Sequence, residues 1–251
     1  MPSCLFDLQG RTAYVTGGLG LIGRAVCDAL GGCGATVIPL DIKENDAPSS
    51  SFVNFDASNT DNLAQKIEAL ENTSGLADIW VNCAYPRTED WGMHAQNNLD
   101  PDCWVQNVNL QMNSYCLLAS TIAERMAQRS NGSIINLGSI YGLVAADFSV
   151  YDGTDMTLPP AYAAIKGAIV NHTRYLASYY GSKGVRVNVV CPGGIANNQP
   201  ARFVSNYEKR TPMRRLAKAE EIGGPVAFLA SPAASYVTGA VLTVDGGWTA
   251  I

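Results

Sequence analysis

The 251-residue chain is expected to form an α/β fold: a doubly wound, seven-stranded parallel sheet with helices on both faces. Three observations lead there. Short apolar runs alternate with helix-length stretches along the whole chain. The runs are continuously apolar rather than alternating, as in strands buried on both faces by right-handed βαβ connections. No repeat, low-complexity tract or linker divides residues 1–251, so a single domain is expected.

The first run, Thr12 to Thr16, ends in a glycine-rich turn, and Leu21 to Leu30 then reads as a helix. Ala35 to Leu40 and Ser51 to Phe55 are the next strands, followed by a helix from Asp61 to Glu71 and a strand from Asp78 to Asn82. A long helix is expected from Pro101 to Gln128, with proline tolerated in its first turn. Ser133 to Leu137 is the fifth strand, and Pro159 with Pro160 introduces a helix from Ala161 to Tyr180. Val185 to Val190, a helix from Lys218 to Ala230, and Val241 to Val244 complete the pattern. Cys83 to Asp100, Ile140 to Pro160 and Pro192 to Pro212 show no clear element. Each follows the carboxyl end of an expected strand, where open α/β sheets bind ligands, and connections this long usually have a function.

Seventeen basic against twenty-two acidic residues give a net charge of −5, and 47% of the chain is hydrophobic. That composition excludes a disordered chain and argues against nucleic-acid binding. No apolar run is long enough to span a membrane, and the N-terminus shows no secretory signal, so a cytoplasmic location is expected. Seven scattered cysteines (Cys4, Cys27, Cys33, Cys83, Cys103, Cys116, Cys191) form no CxxC pair and read as buried reduced thiols. His94 and His172 lie near no cysteine pair, so no metal is expected.

The first strand runs into Thr16-Gly17-Gly18-Leu19-Gly20-Leu21-Ile22-Gly23 and then a helix. A strand, GxGxxG (Gly18, Gly20, Gly23) and a helix together form the dinucleotide fingerprint of a Rossmann fold. Glycine lets the backbone approach a pyrophosphate held at the helix N-terminus. Gly17, Gly18, Leu19, Gly20, Leu21 and Ile22 are therefore the expected cofactor cradle. Asp41 closes the second strand, where a carboxylate accepts hydrogen bonds from an adenosine ribose and repels a 2′-phosphate; NAD is expected ahead of NADP, with Lys43 softening the preference. Tyr162 and Lys166 stand four residues apart near the start of a helix and so share a face. A phenol beside an ammonium makes a general acid/base, because a nearby positive charge lowers the phenol's pKa toward working pH. Ser139 precedes them at the end of the fifth strand.

In this order the residues resemble the short-chain dehydrogenase/reductase family from about Leu8 to Trp248. The resemblance is carried by TGGLGLIG, Asp41, NFDAS with Asp56, DIWVNCA, NVNL with Asn109, INLGS with Ser139, YAAIK, VRVNVVCPGG and VTGAVLTVDGG. It implies an enzyme that interconverts an alcohol and a carbonyl by hydride transfer to or from NAD. Tyr162 would be the acid/base, Lys166 would bind the nicotinamide ribose and lower the Tyr162 pKa, Ser139 would polarise the carbonyl, and Asn109 would hold a relay water. Asp56 would touch adenine, the Pro192 and Gly193 turn would line the nicotinamide side, and Ala57, Asn82, Ala84 and Ile195 join the cofactor-binding set.

Several positions depart from the family pattern. Leu21 stands where compact members usually carry glycine, a spacing shared with extended, sugar-nucleotide-acting members. The usual NNAG reads Asn82-Cys83-Ala84-Tyr85, Asn197 replaces a common threonine, and the segment between Ser139 and Tyr162 is longer than usual. With NCAYPR, IYG, YDGT, PGGI and QP, these features resemble oxidoreductases encoded with flagellin glycosylation and nonulosonic-acid sugar genes. A small polar substrate, a sugar or sugar-phosphate, is expected. Asp147, Tyr151, Asp152, Thr154 and Asp155 offer partners for hydroxyls, while Arg87 and Arg202 suit a phosphate. The same loop could instead be a solvated segment or pack on a neighbouring subunit. Tyr85, Trp91 and Trp104 read as core or interface rather than sugar-stacking residues, and His172, roughly 280° around the helix from Tyr162, as non-catalytic. Two other functions stay open: a sugar-nucleotide epimerase or dehydratase that retains NAD, and a non-catalytic NAD-sensing protein. The two long helices carry more apolar positions than one buried face requires, and family members pair them in four-helix interfaces, so a homotetramer, or failing that a homodimer, is expected.

Overall fold

The computed structural model describes residues 5–42 and 52–251; Cys4, Lys43 and the Ser51 start of the third expected strand lie outside them. Seven strands form one parallel sheet: β1 (Thr12–Thr16), β2 (Thr36–Asp41), β3 (Val53–Asn54), β4 (Ile79–Asn82), β5 (Gly132–Leu137), β6 (Val185–Pro192) and β7 (Val241–Val244). Their spatial order is β3-β2-β1-β4-β5-β6-β7. The chain starts mid-sheet, builds outward to β3, and crosses back to lay β4 on the other side of β1. That reversal opens a crevice at the carboxyl ends of β1 and β4.

Alternation along each strand sorts side chains between two helical layers. Ala13, Val15, Ile79 and Val81 pack with Val26 and Leu30 of α1 (Leu21–Gly32) and with Ile222 and Val226 of α7 (Glu220–Ala230). Tyr14, Trp80, Ile134 and Val187 face the opposite layer, made by α2 (Leu63–Ser74), α4 (Ser114–Gln128) and α5 (Pro160–Tyr180). Every residue of β4 and β5 is buried, as two-sided cover demands.

Two stretches differ from expectation. The run from Pro101 to Gln128 is helical throughout, but it comprises α3 (Pro101–Asn107), a π turn over Val108–Asn113, and then α4. Asp100 starts it, its Oδ1 accepting the N–H groups of Asp102 and Cys103. The stretch from Pro192 to Pro212, which showed no clear element in the sequence, contains α6 (Ala201–Arg210). Its buried anchors are Phe203 and Tyr207, one turn apart, too few apolar positions to stand out as a periodic pattern.

Candidate active site

Thr16 closes the crevice. Its Oγ1 accepts the N–H groups of Cys83 and Ala84 at 3.1 and 3.3 Å, holding the end of β4 against the glycine turn. Gly17 takes φ +66°, and a Cβ there would lie 2.7 Å from Ala84 Cα. A Cβ on Gly18 would press into Pro39, and one on Gly23 would collide with the Gly17 carbonyl. The third glycine therefore seats α1 on the turn, while Leu21, where compact relatives carry glycine, is exposed. Gly20 caps α1 and puts no side chain over the first-turn N–H groups, which include those of Leu21 and Ile22. Free N–H groups at the positive end of a helix dipole, with glycine at each close approach, fit a pyrophosphate.

Asp41 stands at the mouth of this cradle. Its Oδ2 accepts from Leu19 N–H at 3.0 Å and its Oδ1 from Ile42 N–H at 2.8 Å, so the glycine turn itself orients the carboxylate. Asp56 is exposed just past β3, where its Oδ1 accepts the N–H and hydroxyl of Ser58, with half-buried Ala57 between them. Asn82 departs from expectation. Its Oδ1 takes the Trp80 indole N–H, its amide donates to Asn136, and the Asn136 amide donates to Thr173. That side chain belongs to a buried hydrogen-bond chain, and a cofactor contact from this residue would have to be made by its backbone. Pro192 ends β6, Gly193 N–H donates to the Val244 carbonyl at 3.0 Å, and Ile195 bridges to Ala217.

Ser139, Tyr162 and Lys166 gather at the carboxyl end of β5. Ser139 lies two residues past the strand and accepts the Tyr141 N–H at 3.2 Å, with Tyr162 beside it. Lys166 is 6% exposed and donates to the Leu137 carbonyl at 3.0 Å. Its Nζ lies 5.7, 5.5 and 5.7 Å from the ring centres of Tyr85, Tyr115 and Tyr162. Tyr115 was not singled out in the sequence. Its buried hydroxyl donates to the Ala84 carbonyl at 2.7 Å, tying α4 to the β4 loop beside Lys166.

Burial sets the protonation states here. Desolvation takes Lys166 from 10.5 down to about 8, against the opposing pull of Cys83 and Cys191. Tyr162 is held above its ordinary value by burial first and by Tyr85 next, with Ser139 pulling the other way. The expected lowering of Tyr162 by Lys166 is not realised in this geometry. The ammonium stands off the ring and is turned to the Leu137 carbonyl, so desolvation of the phenol prevails. Tyr162 is thus a neutral phenol at neutral pH, the form that donates a proton.

Other phenols surround it. Tyr85 meets Tyr162 edge to face with centroids 6.2 Å apart, accepts the Trp91 indole N–H at 2.7 Å, and has the Arg87 guanidinium 5.4 Å from its ring centre. The long segment after Ser139 folds into a 3₁₀ turn at Phe148–Tyr151. Tyr151 packs on Phe203 at 5.5 Å and acts electrostatically on both Tyr162 and Tyr141. The Tyr141 hydroxyl is buried without a hydrogen-bond partner. The segment is moored to α6 of its own chain: Asn206 donates to the Asp152 carbonyl at 3.0 Å, and Arg210 pairs with Asp147 at 3.3 Å. Asp147 is therefore engaged by an arginine. Thr154 donates to the Tyr151 carbonyl, Arg202 lies beside Gly153, and Asp152 and Asp155 are exposed. Trp91 and Trp104 pack around Tyr115 and Ile165, as core residues do.

Asn109 is the expected catalytic residue that the fold does not bring into this group. It lies in the π turn with its side chain exposed, and its Oδ1 accepts from Asn113 at 2.7 Å. The buried polar side chain of that turn is Gln111, 2% exposed with its Oε1 unpartnered. Gln111 precedes Tyr115 by four residues and shares its face, whereas Asn109 precedes it by six and does not. His172 contacts Ser120 of α4 at 3.4 Å. The six described cysteines are free.

A nucleotide cradle at the sheet's switch point, with a serine, a tyrosine and a lysine beside it, defines a nicotinamide-dependent oxidoreductase of alcohols and carbonyls. The chain belongs to the short-chain dehydrogenase/reductase family, and the family model described as enoyl-(acyl carrier protein) reductase matches residues 20–249. It is 30% identical over 253 residues to post-translational flagellin modification protein A of Campylobacter coli, covering 96% of this chain and 99% of that one. A short chain dehydrogenase from Leptospira borgpetersenii with bound NAD+ superposes with a TM-score of 0.87 at 31% identity, covering 97% of this chain and 94% of that one. A gluconate 5-dehydrogenase from Burkholderia cenocepacia, in complex with NADP and tartrate, gives 0.86 at 27% identity and 98% coverage of each chain. No helix among the described residues is long and apolar enough to cross a membrane.

Proposed function

We propose that the protein is an NAD-dependent oxidoreductase of a small polyhydroxylated substrate, a sugar or sugar-phosphate in glycan or flagellin-modification metabolism, with Tyr162 as its acid/base. The observation that carries the reading is the group of phenols: Tyr85 meets Tyr162 edge to face, and Tyr151, from the loop after Ser139, packs against the same apolar cluster as Tyr162. Hydroxyl groups on several sides of the reacting position suit a substrate rich in hydroxyls. The relatives' printed functions, flagellin modification and gluconate oxidation, support the same class. Free cysteines fit a reducing cytoplasm.

A nicotinamide nucleotide held on the turn from Gly17 to Ile22 would supply or accept the hydride. In the reducing direction Ser139 Oγ donates to the carbonyl oxygen, and Tyr162 delivers its phenolic proton as that oxygen gains negative charge. In the oxidising direction the same proton returns to Tyr162. Lys166 fixes the floor of the site through Leu137 and, as the resemblance implies, holds the nicotinamide ribose. Asp41, oriented by Leu19 N–H, favours the ribose diol of NAD over the 2′-phosphate of NADP.

A panel of sugar acids, sugar phosphates and nucleotide sugars, assayed with NAD and NADP at the absorbance of the reduced cofactor, tests this. NADH accumulating with a sugar or sugar-phosphate is the expected result. Conversion of a nucleotide sugar with no accumulation would favour the epimerase or dehydratase reading, and NADP-only turnover would overturn the cofactor assignment.

A further inference from the structure

The loop between β4 and α3, together with the first turn of α3, holds a group of side chains that the oxidoreductase chemistry does not use. Asp90, His94 and Cys103 bring one carboxylate oxygen, one imidazole nitrogen and one sulfur within 4.8 Å of one another. The sequence spacing did not suggest this, because the cysteine stands in the first turn of α3, nine residues beyond the histidine.

The orientation of His94 is the informative feature. Its Nδ1 lies 3.2 Å from the Asn98 carbonyl oxygen, which can only accept, so the neutral ring carries its hydrogen there. Its Nε2 faces Asp90 Oδ2 at 3.2 Å. A proton on Nε2 makes this contact an imidazolium–carboxylate pair, and a divalent cation would take that proton's place. A backbone carbonyl that fixes the tautomer while the other nitrogen faces a carboxylate and a sulfur is how metal-binding histidines are oriented. The sulfur is prepared on its other side: Asn107 Nδ2 donates to Cys103 Sγ at 3.4 Å, and Thr88 Oγ1 lies 3.8 Å away.

The geometry points to a divalent cation site formed by Asp90 Oδ2, His94 Nε2 and Cys103 Sγ, with water as the fourth ligand and Zn²⁺ the favoured ion. Tetrahedral zinc with bonds of 2.0–2.3 Å places its ligand atoms about 3.2–3.8 Å apart, so the Asp90 and His94 atoms already stand at that spacing and the sulfur needs a small approach. A sulfur and an imidazole select zinc over magnesium or calcium. Binding would displace the Cys103 thiol proton to solvent, leaving a thiolate on the metal. The site neighbours Trp91, whose indole N–H holds the Tyr85 hydroxyl, so an ion here would brace the loop that sets Tyr85 against Tyr162.

Titration of tag-free, chelator-treated protein with Co²⁺ tests the site directly, since a cobalt–thiolate bond adds a near-ultraviolet charge-transfer band. The expected result is a band saturating at one equivalent per chain, abolished by Cys103→Ser and displaced by Zn²⁺. His94→Gln, at a half-buried position, should weaken binding by more than about tenfold, the least loss expected when a ligand itself is removed. Zn²⁺ should raise the melting temperature of the parent chain and leave that of Cys103→Ser unmoved. No band in the parent protein, or a band of equal affinity in His94→Gln and Cys103→Ser, would overturn the proposal.

Discussion

Lys166 shows at the level of one side chain how function is set against stability. Its amine titrates near 10.5 when exposed and at about 8 in the fold. Between those values the unfolded chain binds the extra proton, so stability rises with pH from 8 to 10.5. Below pH 8 the fold carries the whole penalty, about 3 kcal/mol at 1.4 kcal/mol per pH unit. Lys166→Met should therefore unfold at higher urea concentration than the parent at pH 7 and lose the slope between pH 8 and 10.5, while turnover collapses. An unchanged slope would show that the ammonium is not desolvated. Tyr162→Phe should lower turnover by about 10² or more with nucleotide binding preserved, because the ring stays and the proton donor goes. Since burial keeps Tyr162 protonated, carbonyl reduction should be level around neutral pH and alcohol oxidation should rise toward alkaline pH; a falling oxidation profile would contradict the assignment. At Asp41 the informative change is to asparagine, which keeps an acceptor for Leu19 N–H and removes the charge. The preference for NAD over NADP in kcat/KM should then fall by at least about tenfold, equivalent to 1.4 kcal/mol.

Whole elements show what the sequence revealed and what it concealed. The sheet was legible because continuous apolar runs between helices have few other packings, and the glycine turn because Gly17, Gly18 and Gly23 each sit where a Cβ has no room. The π turn was not, since local sequence carries no mark of the added residue per turn that changes which side chains face inward. Asn109 looked catalytic by motif and is exposed; Tyr115 and Gln111 are buried near the motifs without belonging to one. Asn109→Ala is accordingly expected to keep turnover within about threefold of the parent, well short of the 10²-fold or larger loss of a general acid. A tenfold fall would restore the residue to the site. The segment between Ser139 and Tyr162 leaves from the carboxyl end of β5; in it Asp147 is paired with Arg210, and Tyr151 packs on Phe203. Replacing residues 147–155 by a short glycine-containing link should raise KM for the polar substrate by at least about tenfold and leave NAD affinity unchanged. An unchanged KM with an altered oligomeric state would transfer the segment to an interface.

Across the whole molecule, the least explained surface is the outer face of α4 and α5. His172, Tyr175 and Tyr179 follow one another at helical spacing and stack with centroids 6.1 and 6.4 Å apart, forming a ladder whose two tyrosine rungs are exposed. Tyr175 is 63% exposed and Tyr179 54%, with Leu117 of α4 at 48%. A row of stacked aromatic rings beside an exposed leucine is poorly suited to water, and a twofold axis crossing the two helices would bury the same patch from both copies. Lys183, 4.2 Å from the Tyr179 ring centre, and Glu124 of α4, bonded to the adjoining Tyr180, bring charges to one end of it, as the rim of an interface does. Sedimentation should therefore show a homotetramer, or at least a dimer, at micromolar concentration. Pairing Tyr175→Glu with Leu117→Glu should shift it to smaller species and lower the melting temperature, because each charge would be buried against its own symmetry mate. Neither residue touches Tyr162 or Lys166, so activity lost in the dissociated form would mean that assembly steadies α5. A parent protein that sediments as a monomer would leave the ladder without a partner of its own kind.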